Sequence, residues 1–142
     1  MIILCLDVGS KRIGVAKSDA LGIAAHPLTV IERKGNVGDC ARIVELIREH
    51  EVQRLIVGVP FDQEGGIGDS AKKVLGFINV IKQALVDNKL DIHVETWDER
   101  YSTAEAEEVL IDADVSRAKR KKVIDKMAAA RILQNYMENQ KG

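Results

Sequence analysis

Residues 2–12 read IILCLDVGSKR, and this stretch decides the fold. An apolar run long enough for a buried strand, residues 2–8, carries Asp7 at its end and is followed by two cations, Lys11 and Arg12. Because the run is apolar on both faces, it is typical of a central strand in a sheet that is covered on both sides. An aspartate at the end of such a strand needs a chemical reason to be there.

Size and composition set the class of protein. The chain has 142 residues, of which 46% are hydrophobic, and this predicts one domain over residues 1–142. The net charge of -1 neither requires nor excludes an anionic partner. Cys5 and Cys40 lack zinc-site spacing and are predicted to be small core residues in a reducing compartment. No signal peptide or membrane-length apolar run is visible, so the sequence predicts a soluble, cytoplasmic protein with no membrane partner.

Hydrophobic periodicity predicts an order of three strands, helix, strand, helix, strand, helix, helix. The predicted strands are residues 2–8, 12–18, 25–32, 54–60 and 90–97, and the predicted helices begin near residues 37, 69, 102 and 117–119. Asp69 or Ser70 is predicted to cap the second helix. The pattern describes an α/β fold with a mixed sheet, in which right-handed crossovers place the later strands parallel to the first.

Acids fall where such a sheet binds ligands. In open α/β sheets, ligands gather at the carboxyl ends of parallel strands. Asp7 ends the first strand, a glycine-rich loop follows Pro60 at the end of the fourth, and Asp98 with Glu99 ends the fifth. If these strands are parallel, all three features share one edge of the sheet.

The last helix adds another acid. Counted from Asp125, the residues Ala128, Ala129, Ile132 and Tyr136 lie at i+3, i+4, i+7 and i+11, so the aspartate is on the apolar stripe of the helix. Converging carboxylates make a hard, oxygen-rich site suited to Mg²⁺ or Mn²⁺. Two such ions about 4 Å apart could activate water and stabilise the leaving oxygen in phosphodiester hydrolysis.

Each acid also has a purely structural interpretation. Asp7 could hold the turn at Gly9 or pair with Lys11 or Arg12. Asp125 could form helix salt bridges with the lysines three and four residues before it. The alternation of the fifth strand does not decide between Asp98 and Glu99, because its register could end one residue earlier.

The stretch SRAKRKKVIDK, residues 116–126, is the most basic in the chain. Its cations are Arg117, Lys119, Arg120, Lys121, Lys122 and Lys126. Cations beside a carboxylate cluster could bind nucleic-acid phosphates while metal ions act on one of them. The alternative is a solvated helix start, although cations at a helix N-terminus oppose the helix dipole.

Four motifs in order resemble the YqgF family, also called RuvX, of bacterial RNase H-like proteins. They are LDVGSKRIGVAKSD (6–19), IVGVPFDQEGG (56–66), WDERYSTAEAE (97–107) and KRKKVIDKMAAARIL (119–133), and together they span nearly the whole chain. The resemblance implies an RNase H-like fold with sheet order 3-2-1-4-5 and a divalent-metal nuclease site. By motif position it implies Asp7, Glu99 and Asp125 as the catalytic, metal-binding acids, which favours Glu99 over Asp98.

The family was first described as Holliday junction resolvases by analogy with RuvC and is now usually assigned to maturation of the 5′ end of precursor 16S ribosomal RNA. The resemblance thus implies a Mg²⁺- or Mn²⁺-dependent endonuclease acting on structured RNA. Phosphates near the scissile bond would contact Lys11, Arg12 and Arg100, and the flanking strand would contact Arg117, Lys119, Arg120, Lys121 and Lys122. A DNA junction resolvase, which would need a dimer, and a non-catalytic nucleic-acid-binding or nucleotide-binding module are the alternatives. Whether the protein is a monomer or a homodimer is open.

Overall fold

The computed structural model describes residues 1–61, 64, 66–98 and 117–140, with the backbone alone for residues 117–123. The elements in this part of the chain are β1 (Ile3–Val8), β2 (Arg12–Ser18), β3 (Ala25–Glu32), α1 (Asn36–Glu49), β4 (Arg54–Val59), α2 (Asp69–Asp87), β5 (His93–Asp98) and α3 (Arg117–Gln140). The helix predicted to begin near residue 102 lies outside the described residues. The other predicted elements are confirmed.

The strands form a five-stranded sheet in the order β3-β2-β1-β4-β5. β1 pairs in parallel with β4, and β4 with β5, whereas β2 and β3 are antiparallel to their neighbours. This confirms the predicted mixed sheet and the strand order implied by the resemblance. β1 lies at the centre, which explains why its sequence is apolar on both faces.

Two apolar layers cover the sheet, one on each face. Because side chains alternate along a strand, Leu4 and Leu6 of β1 pack in the layer with α1 and α2, whereas Ile3 and Cys5 pack in the layer with α3. Cys5 and Cys40 are both buried, as predicted. Burial raises the pKa of the Cys40 thiol. In the described part of the chain, no helix is long and apolar enough to cross a membrane.

Two details of the prediction are wrong. β5 begins at His93 and ends at Asp98, not at residues 90 and 97, because Leu90 and Ile92 are apolar for packing against the α1/α2 layer before the strand begins. The N-cap of α2 is Gly68, and no side chain caps this helix. Asp69 instead lies in the first turn of α2, where its negative charge still suits the helix dipole.

Candidate active site

Asp7 lies at the carboxyl end of β1 and has glycine on both neighbouring strands. It is paired with Gly14 of β2 and with Gly58 of β4. By strand alternation the half-buried Asp7 points to the α3 face, two residues beyond Cys5. No Cβ atom therefore crowds the carboxylate from the two paired positions.

The main chain of α3 rests directly on Gly14. A Cβ atom at Gly14 would fall on the backbone carbonyl of Asp125, so only glycine permits this approach. Ala128 and Ala129, one turn further along α3, are buried and small enough to keep the helix close to the sheet. The contact brings Asp125 to the corner of the sheet that carries Asp7. The predicted apolar stripe of α3 is confirmed as well, since Ile132 and Tyr136 are also buried.

The side chain of Asp125 forms an ion pair across the site. Its Oδ2 accepts a hydrogen bond of 2.8 Å from Nε of Arg12, and both side chains remain partly exposed, at 29% and 23%. The other N–H groups of the Arg12 guanidinium donate to no residue that the structure describes. Arg12 therefore orients the Asp125 carboxylate through its Nε.

The register of β5 bears on the choice between Asp98 and Glu99. Asp98 is paired with Val59, a member of the α1/α2 layer, so the Asp98 side chain lies on the face away from Asp7. Glu99 and Arg100 lie outside the described residues, and their predicted roles stay predictions. Within residues 1–61, 64, 66–98 and 117–140, no three His, Cys, Asp or Glu residues group closely enough to hold a metal ion.

The predicted phosphate contacts surround this corner as far as they are described. Lys11 is exposed on the turn between β1 and β2, next to Arg12. The basic stretch forms the first turns of α3, immediately before Asp125 on the same helix. Only its backbone is described, so the roles of Arg117, Lys119, Arg120, Lys121 and Lys122 stay predictions.

A cleft of about 340 Å³ opens beside Asp7 at the carboxyl edge of the sheet. Its lining residues are Asp7, Val8, Gly9, Ser10, Arg33, Pro60, Ser70, Lys73 and Val74. Lys73 is exposed there and forms no ion pair with a described residue. Pro60, which follows β4, thus lies at the same edge of the sheet as Asp7.

Sequence reasoning missed Gly14, Arg33 and Asp39. The signal for Gly14 was a glycine inside a predicted strand, which indicates close approach by another backbone. Asp39 is completely buried in the first turn of α1 and pairs with Arg33, which in turn touches the β1–β2 turn. The sequence signal for this pair was the position of Asp39, which lies next to the predicted core residue Cys40 and six residues after Arg33.

The fold defines the class of protein. The chain is similar to Thermus thermophilus RuvC in complex with a Holliday junction substrate, with a TM-score of 0.57, 15% identity and coverage of 100% of this chain and 96% of that one. It is also similar to the fowlpox virus resolvase bound to Holliday junction DNA, with a TM-score of 0.59, 14% identity and 99% coverage of both chains. The architecture is the RNase H-like fold of RuvC-type proteins.

Sequence comparison gives the particular family. The model of the family described as Holliday junction resolvase RuvX matches residues 1–139. A protein of Desulforamulus reducens named "Putative pre-16S rRNA nuclease" is 51% identical over 139 residues, 98% of each chain. A protein of the same name in Thermoanaerobacter pseudethanolicus is 49% identical over 142 residues, 99% of each chain. The chain belongs to the RuvX family, which confirms the resemblance seen in the sequence.

Proposed function

We propose that this protein is a divalent-metal-dependent endonuclease that processes the 5′ end of precursor 16S ribosomal RNA. One observation carries the proposal: Asp7 and Asp125 occupy the same corner of the α3 face, next to the exposed Lys11 and the partly exposed Arg12. Family membership supports nuclease activity, and the names of the relatives support the RNA substrate. The predicted cytoplasmic location agrees with this role and stays a prediction.

The donor set at this corner fits a hard divalent cation. Asp7 and Asp125 offer carboxylate oxygens at the open end of one sheet face, and Oδ1 of Asp125 accepts no hydrogen bond from a described residue. Glu99 is the proposed third ligand. Mg²⁺ or Mn²⁺ bound there would lower the pKa of water and stabilise negative charge on the phosphate.

The residues of the chain have separate tasks around the scissile phosphate. Arg12 holds the Asp125 carboxylate through Nε and can donate its remaining N–H groups to a phosphate oxygen. Lys11 and Arg100 add positive charge beside it, and the basic start of α3 holds the flanking strand. Because these contacts are made to phosphates, affinity should fall steeply as salt concentration rises.

A four-way DNA junction is the second candidate substrate. The description of the matching family as a Holliday junction resolvase favours it. Symmetrical cleavage of a junction requires two sites, so this activity predicts a stable homodimer. Light scattering together with cleavage assays separates the two substrates, because processing of a single RNA site needs only a monomer.

The experiment compares wild type with Asp7→Asn and with the control Asp91→Asn, which changes an exposed acid before β5. Each protein is incubated with labelled precursor of the small-subunit ribosomal RNA and with a four-way DNA junction, in Mg²⁺, Mn²⁺ or EDTA. We expect metal-dependent RNA cleavage by wild type and Asp91→Asn, and a loss of about 10³-fold or more in Asp7→Asn.

Three outcomes are informative. If the protein cleaves the four-way DNA junction in preference to the RNA, junction resolution becomes the proposed function. If Asp7→Asn still cleaves, the active site is not at the corner that carries Asp7 and Asp125. If neither substrate is cut in any metal while wild type and Asp7→Asn both bind RNA, the protein is a non-catalytic nucleic-acid-binding module.

A further inference from the structure

Arg33 joins the β1–β2 turn to the helical layer of the opposite face. Its backbone N–H donates to the carbonyl of Lys11 at 3.0 Å, and its Nη1 donates to the carbonyl of Gly9 at 3.0 Å. Within the turn, the N–H of Gly9 donates to the carbonyl of Arg12 at 2.8 Å. Of these three hydrogen bonds, two therefore come from one residue outside the turn.

The guanidinium of Arg33 is itself held on three sides. Its Nε donates to Oδ2 of Asp39 at 2.9 Å, and the Asp39 side chain is completely buried. Oδ1 of Asp39 accepts the backbone N–H of Lys34 at 3.0 Å, so both carboxylate oxygens have partners. The Phe77 ring of α2 lies under the guanidinium, with 4.6 Å from its central carbon to the ring centroid. The arginine is thus locked in one orientation.

Only an arginine can make this set of contacts. The guanidinium is a rigid planar fork whose Nε and Nη groups donate in two directions at once, whereas a lysine ammonium is a compact point charge. At this position the fork spans Asp39 on α1 and Gly9 on the turn. A lysine would keep the positive charge beside Asp39 and lose the simultaneous bond to Gly9.

We propose that Arg33 is a positioning residue for phosphodiester hydrolysis, and this inference rests on the proposed function. The turn that Arg33 holds begins just after Asp7 and ends at Arg12, whose side chain orients Asp125. A turn fixed at Gly9 and Lys11 sets where Asp7 and Arg12 stand relative to each other. Arg33 acts on the reaction through these residues, since its side-chain donors are directed to Asp39, Gly9 and Asn36.

The test uses the full chain with Arg33→Lys, and Arg42→Lys as the matched control. Arg42 lies partly exposed on α1 and, among the described residues, pairs with the exposed Glu45, so the control makes the same substitution away from the turn. The first readout is the hydrogen-exchange rate of the Gly9 amide by NMR. We expect exchange about tenfold faster in Arg33→Lys and unchanged in Arg42→Lys.

The second readout is cleavage of the substrate that wild type cuts, expressed per folded molecule. Mutation of residues that orient the ligands of a metal site typically lowers activity by about 10-fold to 100-fold. We therefore expect kcat to fall about tenfold in Arg33→Lys, with little change in KM. Asp39→Asn leaves Arg33 in place but removes the charge that orients it. This variant should move both readouts in the same direction by a smaller factor.

The two readouts separate failure of this inference from failure of the proposed function. Wild-type Gly9 exchange in Arg33→Lys would overturn the inference whether or not the protein is a nuclease. Faster Gly9 exchange with unchanged kcat would also overturn it, because the turn would then move without affecting the reaction. If wild type cuts no substrate, the proposed function fails and the inference fails with it, while the exchange rates still show whether Arg33 holds the turn.

Discussion

On the α1/α2 face of the sheet, the central strands β1 and β4 are apolar along their whole length, whereas on the α3 face they are not apolar at the carboxyl edge. On the first face, β1 presents Leu4, Leu6 and then Val8 toward the helices. On the second, β1 presents Ile3 and Cys5 and then Asp7. β4 repeats the contrast, because its α1/α2 side remains apolar to its last residue and its α3 side ends in glycine.

The difference shows how one small sheet supports both stability and chemistry. The α1/α2 face buries apolar side chains from four strands and two helices, and this burial is the main source of folding free energy. The α3 face has no apolar core at the carboxyl edge, where two glycines and two acids stand in place of large apolar side chains. The site therefore lies where little apolar packing is lost by its presence.

The largest effect on stability is expected from truncating a core side chain, and it can be compared between the two faces of the sheet. Ile81 of α2 and Ile132 of α3 are equally buried, on opposite sides of the sheet. Each change to alanine should lower the free energy of unfolding by about 2–5 kcal/mol, measured by urea denaturation. Only Ile132→Ala should also lower kcat per folded molecule, because it loosens the helix that carries Asp125. Equal kcat in both variants would contradict this division of roles.

The next effect concerns the contact between α3 and the sheet. In Gly14→Ala the added methyl group must displace the Asp125 backbone, which cannot rotate away as a side chain could. We expect a loss of about 1–3 kcal/mol in unfolding free energy and a clear fall in kcat. The control is Gly76→Ala inside α2, where a Cβ atom would meet nothing and the helix should gain up to about 1 kcal/mol. A Gly14→Ala protein as active as Gly76→Ala would show that Asp125 need not sit where it does.

The smallest effect is a pH dependence at the apolar end of the α3 face. Burial, reinforced by a hydrogen bond to Glu95, raises the pKa of Tyr136, while the Arg54 guanidinium at 2.7 Å opposes the shift. The folded state therefore favours the neutral phenol. Its contribution to stability is complete below the unfolded pKa near 10 and is lost as pH rises through the folded value.

Fluorescence of Trp97, the only tryptophan in the chain, can follow unfolding, because its ring lies edge-on to Tyr136 with centroids 5.6 Å apart. Above pH 10, the stability of wild type should fall more steeply than that of Tyr136→Phe. Parallel curves for the two proteins would exclude Tyr136 as the source of the pH dependence.

Much of the fold could be predicted because the sequence periods are regular. The two-faced apolar pattern of residues 2–8 places β1 at the centre, and the regular stripe of α2 predicts its buried face. The start of β5 was predicted too early, because apolar residues that pack before a strand look like the strand itself. The local sequence pattern alone cannot distinguish the two, because the start of the strand depends on where its partner strand pairs with it.

Less of the candidate site could be predicted from the residues alone. The i+3 and i+4 alanines placed Asp125 on the inner face of its helix, and the structure agrees. The partner of Asp125 could not be predicted, because Arg12 and Asp125 are 113 positions apart and only the docking of α3 on Gly14 brings them together. Arg33 was missed for the same reason, since its importance depends on a backbone carbonyl in another turn.

The pairing of Arg12 with Asp125 also has a consequence for synthesis of the protein. A ribosome completes the sheet, from β1 to β5, before it makes α3. Until α3 docks, Asp7 has neither the second acid nor the oriented arginine beside it. On the proposed mechanism, a nascent chain that ends before residue 125 contains every residue of the α1/α2 layer and yet cannot cut the RNA around it.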